Sequence, residues 1–276
     1  VTGHVAVAVP ILGYHTITDH PSPDIAPFAV RPAEFARHLD LLVAGGHTVL
    51  TVTQYAELLE HGTALPPRPA VITFDDGFED NLTVAAPLLA ARRLRATVYV
   101  TTGHLPGCPG GPAGKSLGPM LPFDHLRALE AAGIEVGAHS HSHPQLDTLT
   151  RAAASHEIRF GRDLLERELG HPVATFAYPH GYAGAWLQRE VRRAGFRSAC
   201  GVRDAFSHRG DDRWLLARLV MRPTTSCGQL EAWLHGSGAG LAPPVELLRT
   251  KAWRAIRRAR STSSRRSVAA AVGAAA

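Results

Sequence analysis

The sequence predicts an α/β fold, an irregular (β/α) barrel of about seven parallel strands in the manner of a deformed TIM barrel. Three observations point there. Short runs rich in β-branched and aromatic residues alternate with segments of helical period, the signature of parallel strands joined by right-handed helical crossovers. Most of those runs are almost continuously apolar, as strands covered on both faces must be. No GxGxxG follows the first run, which argues against an open dinucleotide-binding sheet and favours the barrel.

In chain order the strand candidates are AVAVPIL (6–12), AVITF (70–74), ATVYVT (96–101), IEVGA (134–138), ATFAY (174–178), RSACGV (197–202) and LLARLVM (215–221). Four helices fall between them, each stopping at a glycine able to take the left-handed cap. PAEFARHLDLLVAGG opens with Pro32 in its first turn and stops at Gly45–Gly46; DHLRALEAAG stops at Gly133, SHEIRFGRDLLERELG at Gly170 and AWLQREVRRAG at Gly195. The stretch 103–120 is dense in glycine and proline and reads as a loop, either lining a substrate site or a mobile insertion. These elements place a catalytic domain at 1–239 and a tail at 240–276. In the tail, VELLRTKAWRAIRRAR has the pattern of a basic amphipathic helix, followed by a polar, alanine-rich end with the composition of a disordered segment.

The chain of 276 residues suits one large domain, and 45% apolar with 19% charged residues is an ordinary globular composition. The net charge of +5 is misleading, because eight basic residues follow Glu246, the last acid. Without them, 21 basic residues face 24 acidic ones. The body thus makes no case for nucleic acid; only the tail offers a peripheral membrane or partner contact, against a plainly solvated alternative. Cys108, Cys200 and Cys227 are odd in number and widely spaced, with no CxxC, and read as buried or incidental thiols. The first residues carry no positive n-region and no small-residue cleavage site, which gives the expectation of a cytoplasmic protein, or an extracellular or membrane-associated one if the sequence is trimmed at its start.

Four features at strand ends carry chemistry. Thr73-Phe74-Asp75-Asp76-Gly77 sets two adjacent carboxylates after an apolar strand, where they point in opposite directions and can serve different roles. His139-Ser140-His141-Ser142-His143-Pro144 spaces two imidazoles so that both can reach one ion; with a carboxylate they describe a catalytic zinc-type site with an open position. Tyr178-Pro179-His180-Gly181 is a turn able to present a backbone N–H to an oxyanion. Gly13-Tyr14-His15 closes the first strand, which neighbours the last in a closed barrel, so His15 can reach the same pocket and protonate a leaving amine. Alone, each reads better as a solvated turn or as incidental or structural histidines; together they specify a site.

TFDDG, HSHSH and YPHG, in this order, resemble the polysaccharide deacetylases of carbohydrate esterase family 4, the NodB-homology domain, over residues 10 to 235. The resemblance implies a hydrolase that removes N-acetyl groups from amino sugars by way of a metal-activated water. It implies Asp75 as catalytic base and Asp76, His139 and His143 as ligands of one divalent metal, usually zinc and sometimes cobalt or nickel. The backbone N–H of His180 would hold the oxyanion, and Ser140 would support the loop. Two departures stand out: Ala177 occupies the place of an arginine that orients the base, and LARLVMRP lacks the C-terminal histidine that acts as acid. Both match a permuted branch similar to poly-N-acetylglucosamine deacetylases, in which the N-terminal YH supplies the acid, here His15. Arg218 is the candidate for the missing arginine's role. A small glycoconjugate as substrate and a non-catalytic carbohydrate-binding relative are the rival readings. The first is favoured by the chain's having only two lysines, Lys115 and Lys251, the mark of a GC-rich bacterial genome.

Overall fold

The computed structural model describes residues 7–113, 116–243 and 256–257. The chain opens with β1 (Ile11–Tyr14), β2 (Thr16–Ile17) and β3 (Ala29–Val30), then α1 (Pro32–Ala44), β4 (Thr48–Leu50), α2 (Val52–Glu60) and β5 (Pro69–Phe74). It continues through α3 (Ala86–Ala90), β6 (Ala96–Val100), α4 (Leu126–Ala131), β7 (Ile134–Ala138), α5 (Arg151–Leu169), β8 (Thr175–Ala177), α6 (Ala185–Arg193), β9 (Ser198–Cys200), β10 (Leu219–Val220) and α7 (Cys227–Leu234).

Seven strands run in the order β10-β1-β5-β6-β7-β8-β9, every pairing parallel. Strand β5 serves two neighbours on one side: Pro69–Val71 pair with β4, and Thr73–Phe74 pair with β6. The sheet curls but stays open between β9 and β10. There the segment before β10 bridges to β9 through the Leu216 N–H on the Ala199 carbonyl and the Gly201 N–H on the Leu216 carbonyl, each 2.9 Å. The expected deformed barrel is therefore an open one.

Alternation along the strands separates two environments. On β5, Ala70, Ile72 and Phe74 face the core beneath the helices, while Val71 belongs to an inner cluster with Ile11, Tyr99 and Cys200. The inward stripe is small and polar at many positions: Gly13, Thr73, Thr97, Gly137, Thr175 and Ser198. Tyr99 crosses this space with its hydroxyl on Thr175 at 2.9 Å and Cys200 at 3.3 Å. Gly137 makes room for it, because a Cβ there would stand 2.6 Å from the Tyr99 ring. The apolar runs are thus covered on both faces, with inner faces that are less oily than the sequence implies.

All four glycines expected to cap helices have positive φ: Gly46, Gly133, Gly170 and Gly195. Helix α5 starts four residues earlier than its pattern implied, with the Thr150 hydroxyl accepting from the Ala153 N–H as N-cap. The expected first strand begins later, at Ile11. Helix α2, capped by a Thr51–Gln54 box, and α7 had no place in the sequence reading. The 103–120 loop folds back on the β5 turn: the Leu121 N–H donates to Gly77 O, and the Ala113 N–H donates to Gly103 O. Most of the tail lies outside the described residues. Among the described residues, no helix is long and apolar enough to cross a membrane.

Helix α5 approaches the loop after β7 through Gly161, where an added Cβ would meet the Ser140 carbonyl carbon at 3.0 Å and its oxygen at 3.1 Å. Alanine in place of glycine inside a helix ordinarily stabilises by about 1 kcal/mol. Because Ser140 is held at φ 65°, Gly161→Ala is expected to invert that sign and cost about 1–3 kcal/mol through overpacking. Thermal unfolding would read this as a lower Tm; an unchanged or higher Tm would show that the loop yields freely.

Candidate active site

The chemistry-bearing residues meet just past the C-terminal ends of β1, β5, β7 and β8, where parallel β/α folds place their sites. Strand β5 ends at Phe74, and the chain turns through Asp76 at φ 74° and Gly77 at φ 86°. This turn sends Asp75 and Asp76 to different partners. Asp75 is gripped by Arg218: Nη1 donates to Oδ1 at 2.6 Å and Nη2 to Oδ2 at 2.8 Å. The guanidinium also reaches the Thr73 hydroxyl at 3.2 Å and, through Nε, the Gly201 carbonyl at 2.9 Å. Arg218 is 1% exposed and lies along the inner stripe beside Gly13, where its Nη1 comes within 3.9 Å of a would-be Cβ.

Asp76 faces the histidines. Its Oδ1 lies 3.3 Å from His143 Nε2 and 3.7 Å from His139 Nε2, and the three ligand atoms are within 4.8 Å of one another. His139 directly follows β7 and donates Nδ1–H to the Ala177 carbonyl of β8 at 2.8 Å, which fixes its ring and leaves Nε2 to the cluster. Ser140 and His143 both adopt positive φ, and the His143 N–H closes the turn on the Ser140 hydroxyl at 3.1 Å. From α5, Glu157 pins the same loop, accepting from the backbone N–H groups of His141 and Ser142 and from the Ser142 hydroxyl.

The two aspartates are pushed apart. Burial favours the neutral form of Asp75, but the charge of Arg218 and its two hydrogen bonds overrule it and hold this carboxyl well below the usual range. Asp76 is equally buried without a guanidinium of its own, and burial raises it to about 6. Burial lowers His139 to about 3 and His143 below its ordinary value, so both imidazoles are neutral. A carboxylate oxygen and two neutral imidazole nitrogens converging in this way fit a divalent cation, whose charge removes the cost of ionising Asp76.

His15 follows β1 with its ring 4.8 Å from Phe28 and its buried Nδ1 unbonded among the described residues. It is near enough for its charge to favour ionisation of both aspartates. His180 sits on the turn after β8 at φ 59°, its ring 4.7 Å from that of His143, and the Gly181 N–H closes this turn on the Tyr178 carbonyl at 2.8 Å. All six residues singled out in the sequence therefore surround one place. Three neighbours were not foreseen. His104 lies 6.2 Å from His143 ring to ring. Glu157 supports the loop from α5. Arg257 in the tail donates to the buried Asp147 at 2.6 Å and lies 3.4 Å over the Tyr182 ring. No local pattern marks these residues, because each reaches the site from a different element.

Such an arrangement defines a metal-dependent hydrolase: a fixed, ionised carboxylate beside an Asp–His–His metal-coordinating site. Residues 62–199 match the polysaccharide deacetylase family, and the chain belongs to it. Its site is accordingly that of a metal-dependent carbohydrate deacetylase. YxkH of Bacillus subtilis (strain 168), named for the same family, is 23% identical over 229 residues, covering 82% of this chain and 76% of its own length. Among solved structures, the deacetylase PplD of Streptococcus pyogenes, in complex with acetate, superposes with a TM-score of 0.72 at 22% identity, covering 82% of this chain and 97% of that one. IcaB of Ammonifex degensii gives 0.68 at 22% identity, with 82% and 97% covered. A de-N-acetylase of Aggregatibacter actinomycetemcomitans gives 0.70 at 17% identity, with 82% and 100% covered. At these identities the structures share the fold.

Removing the guanidinium leaves Asp75 buried without its counter-charge. In Arg218→Gln its pKa is expected to rise, moving the acidic limb of the kcat/KM profile to higher pH, while Arg218→Lys moves it less. Loss of one partner of such a buried pair costs about 3–5 kcal/mol. Because the folded carboxyl titrates below its ordinary value, the pair's contribution to stability is complete above about pH 4 and is lost as pH falls further. An unshifted acidic limb in Arg218→Gln would show that Asp75 does not set it.

Proposed function

We propose that the protein hydrolyses N-acetyl groups from N-acetylated amino sugars in oligomeric or polymeric form. In this reading Asp75 is the base, Asp76, His139 and His143 hold one divalent metal, the His180 backbone N–H stabilises the oxyanion, and His15 is the acid. The observation that carries it is the opposite treatment of two adjacent carboxylates: Asp75 fixed and ionised by Arg218, Asp76 turned toward two neutral imidazoles. Zinc suits this mixed oxygen and nitrogen donor set, and cobalt and nickel share its preference for imidazole. The solved relatives, among them a deacetylase in complex with acetate and a de-N-acetylase, support the choice of an acetamide as scissile group.

When bound, the metal makes water more acidic and polarises the carbonyl under attack. Asp75 would take a proton from the attacking water as its oxygen bonds to the acetyl carbon, the two carboxylate oxygens held by Arg218 so that the carboxylate cannot rotate away. The His180 N–H donates to the oxygen on which negative charge develops. His15, across β1 from β5, gives its proton to the departing nitrogen as the C–N bond breaks, releasing acetate and the free amino sugar.

Acetate release from N-acetylglucosamine oligomers should require metal, vanishing on chelation and returning with zinc. Asp75→Asn should lose about 10²–10⁴-fold in turnover while metal content, measured by elemental analysis, stays unchanged. Asp76→Asn should lose metal and activity together; full metal content in that variant would remove Asp76 from the ligand set. Release only from N-acetylated monosaccharide conjugates would replace the polymer with a small glycoconjugate as substrate.

A further inference from the structure

A second convergence of ligand atoms lies at the contact of α1 with α7, away from the catalytic cluster. Glu34 and His38 are four residues apart on α1 and so share one helical face. Cys227 is the first residue of α7, after the N-cap Ser226. The Cys227 thiol is 3.1 Å from Glu34 Oε1, and His38 Nε2 is 3.5 Å from the same oxygen. All three ligand atoms lie within 4.8 Å of one another; among the described residues, just one other group, the catalytic one, satisfies this condition.

An independent observation points to a ligand. His38 is fully buried, yet its Nε2, aimed into this cluster, makes no hydrogen bond. It stands 3.5 Å from Glu34 Oε1, and the Glu34 carboxylate and the Thr225 backbone favour the protonated ring, but burial outweighs both and keeps His38 below its ordinary pKa. The other ring nitrogen, Nδ1, is 3.1 Å from the buried Tyr14 hydroxyl. With Nδ1–H donated to Tyr14, Nε2 presents a lone pair, the arrangement by which protein histidines are oriented toward metals. A buried polar atom without a partner destabilises the fold, and a bound cation would remove that cost.

The remaining neighbours are compatible. Arg37 pairs with the other oxygen of Glu34, Oε2, from a largely exposed position, leaving Oε1 to face Cys227 and His38. The Glu34 carboxylate raises the Cys227 thiol above its ordinary pKa; a cation between the two groups relieves that repulsion. One thiolate, one imidazole and one carboxylate, with a fourth position toward solvent, is a donor set for a borderline-soft divalent ion such as zinc rather than for magnesium or calcium.

We propose that Glu34, His38 and Cys227 form a second metal site, for zinc or a cation of similar softness, that staples α1 to α7. Helix α1 backs the strand bearing Tyr14 and His15, and α7 follows β10. The ion therefore ties together the two ends of the domain at the β1–β10 seam.

The test uses the full chain, stripped with chelator and reloaded with cobalt or zinc. Two equivalents of metal per chain are expected in the parent protein, and one in Asp76→Asn. The cobalt form of Asp76→Asn should show a thiolate-to-metal charge-transfer band in the near ultraviolet, which catalytic-site ligation cannot produce. Cys227→Ser, and Cys227→Ala as a second variant, should each abolish that band and one equivalent of metal, while Cys108→Ser should abolish neither. Absence of the band from the loaded parent protein, or its survival in both Cys227 variants, would overturn the proposal. Retention of one equivalent without the band in Cys227→Ser alone, and of none in Asp76→Asn, would leave only the catalytic metal and likewise refute it. A second equivalent in Asp76→Asn together with the band would instead support the cysteine site and correct the ligand role of Asp76, so the two readings fail separately.

Discussion

The ion pair between Arg218 and Asp75 is the constraint around which the rest of the barrel is arranged. A guanidinium that is almost wholly buried must have its donors met, because desolvating an unpaired charge costs more than any nearby packing can return. Four of its contacts are accounted for: two to Asp75, one to the Thr73 hydroxyl and one to the Gly201 carbonyl. This requirement explains the inner stripe. Thr73, Thr97 and Thr175 stand at inner positions of β5, β6 and β8 in place of larger apolar residues, and the Tyr99 ring lies 5.6 Å from the cation. The opening of the sheet between β9 and β10 belongs to the same solution, since Arg218 enters exactly where the segment before β10 crosses to β9.

The pair also divides labour between neighbours in sequence. Two adjacent carboxyls in one buried place would otherwise compete for a single negative charge. Arg218 settles the competition in favour of Asp75, and burial leaves Asp76 with a raised pKa that a bound metal ion would lower. As the proposed base, a carboxylate held this low gives up proton affinity for certainty of ionisation and orientation. The cost of presenting both groups appears in the backbone: Asp76, Ser140, His143 and His180 are all non-glycine residues at positive φ. Strain of about 1–3 kcal/mol each persists only where the surroundings over-determine it. Here the surroundings are specific: the three hydrogen bonds of Glu157, the Ser140 turn, and the close approach of α5 allowed by Gly161.

Much of this was legible in the sequence, and what was legible has a physical pattern. Strands β5, β6 and β7 lie within a residue of their apolar runs, because period and composition agree there. The caps at Gly133, Gly170 and Gly195 were readable because a left-handed C-terminus favours glycine. The clustering of Asp75, Asp76, His139, His143 and His180 followed from their common place after parallel strands. Other features carry no one-dimensional signal. Helix α2 was hidden by its short apolar face, and β10 reduces to two residues because the segment before it is occupied with Arg218. Cys227, dismissed as an incidental thiol, stands opposite Glu34 and His38 only because α1 and α7 pack together, a contact between residues nearly two hundred positions apart.

Other parts of the chain supply what the departures from the family pattern remove. Ala177 lacks a guanidinium, but its carbonyl is still needed, since it receives the Nδ1–H of His139. The arginine comes instead from the residue before β10, and the proposed acid from the residue after β1. These two strands are neighbours in the sheet, with Leu12 beside Leu219 and Gly13 beside Val220, and β1 in turn lies against β5, with Tyr14 beside Phe74. Groups near opposite ends of the chain thus reach Asp75 through two successive parallel pairings on one side of β5. What the reaction requires is a cation on the base and an imidazole within reach of the leaving group. The order in which the chain supplies them is free so long as the β10-β1-β5 adjacency holds. That adjacency, rather than any single motif, is what the N-terminal strand and the C-terminal strand together provide.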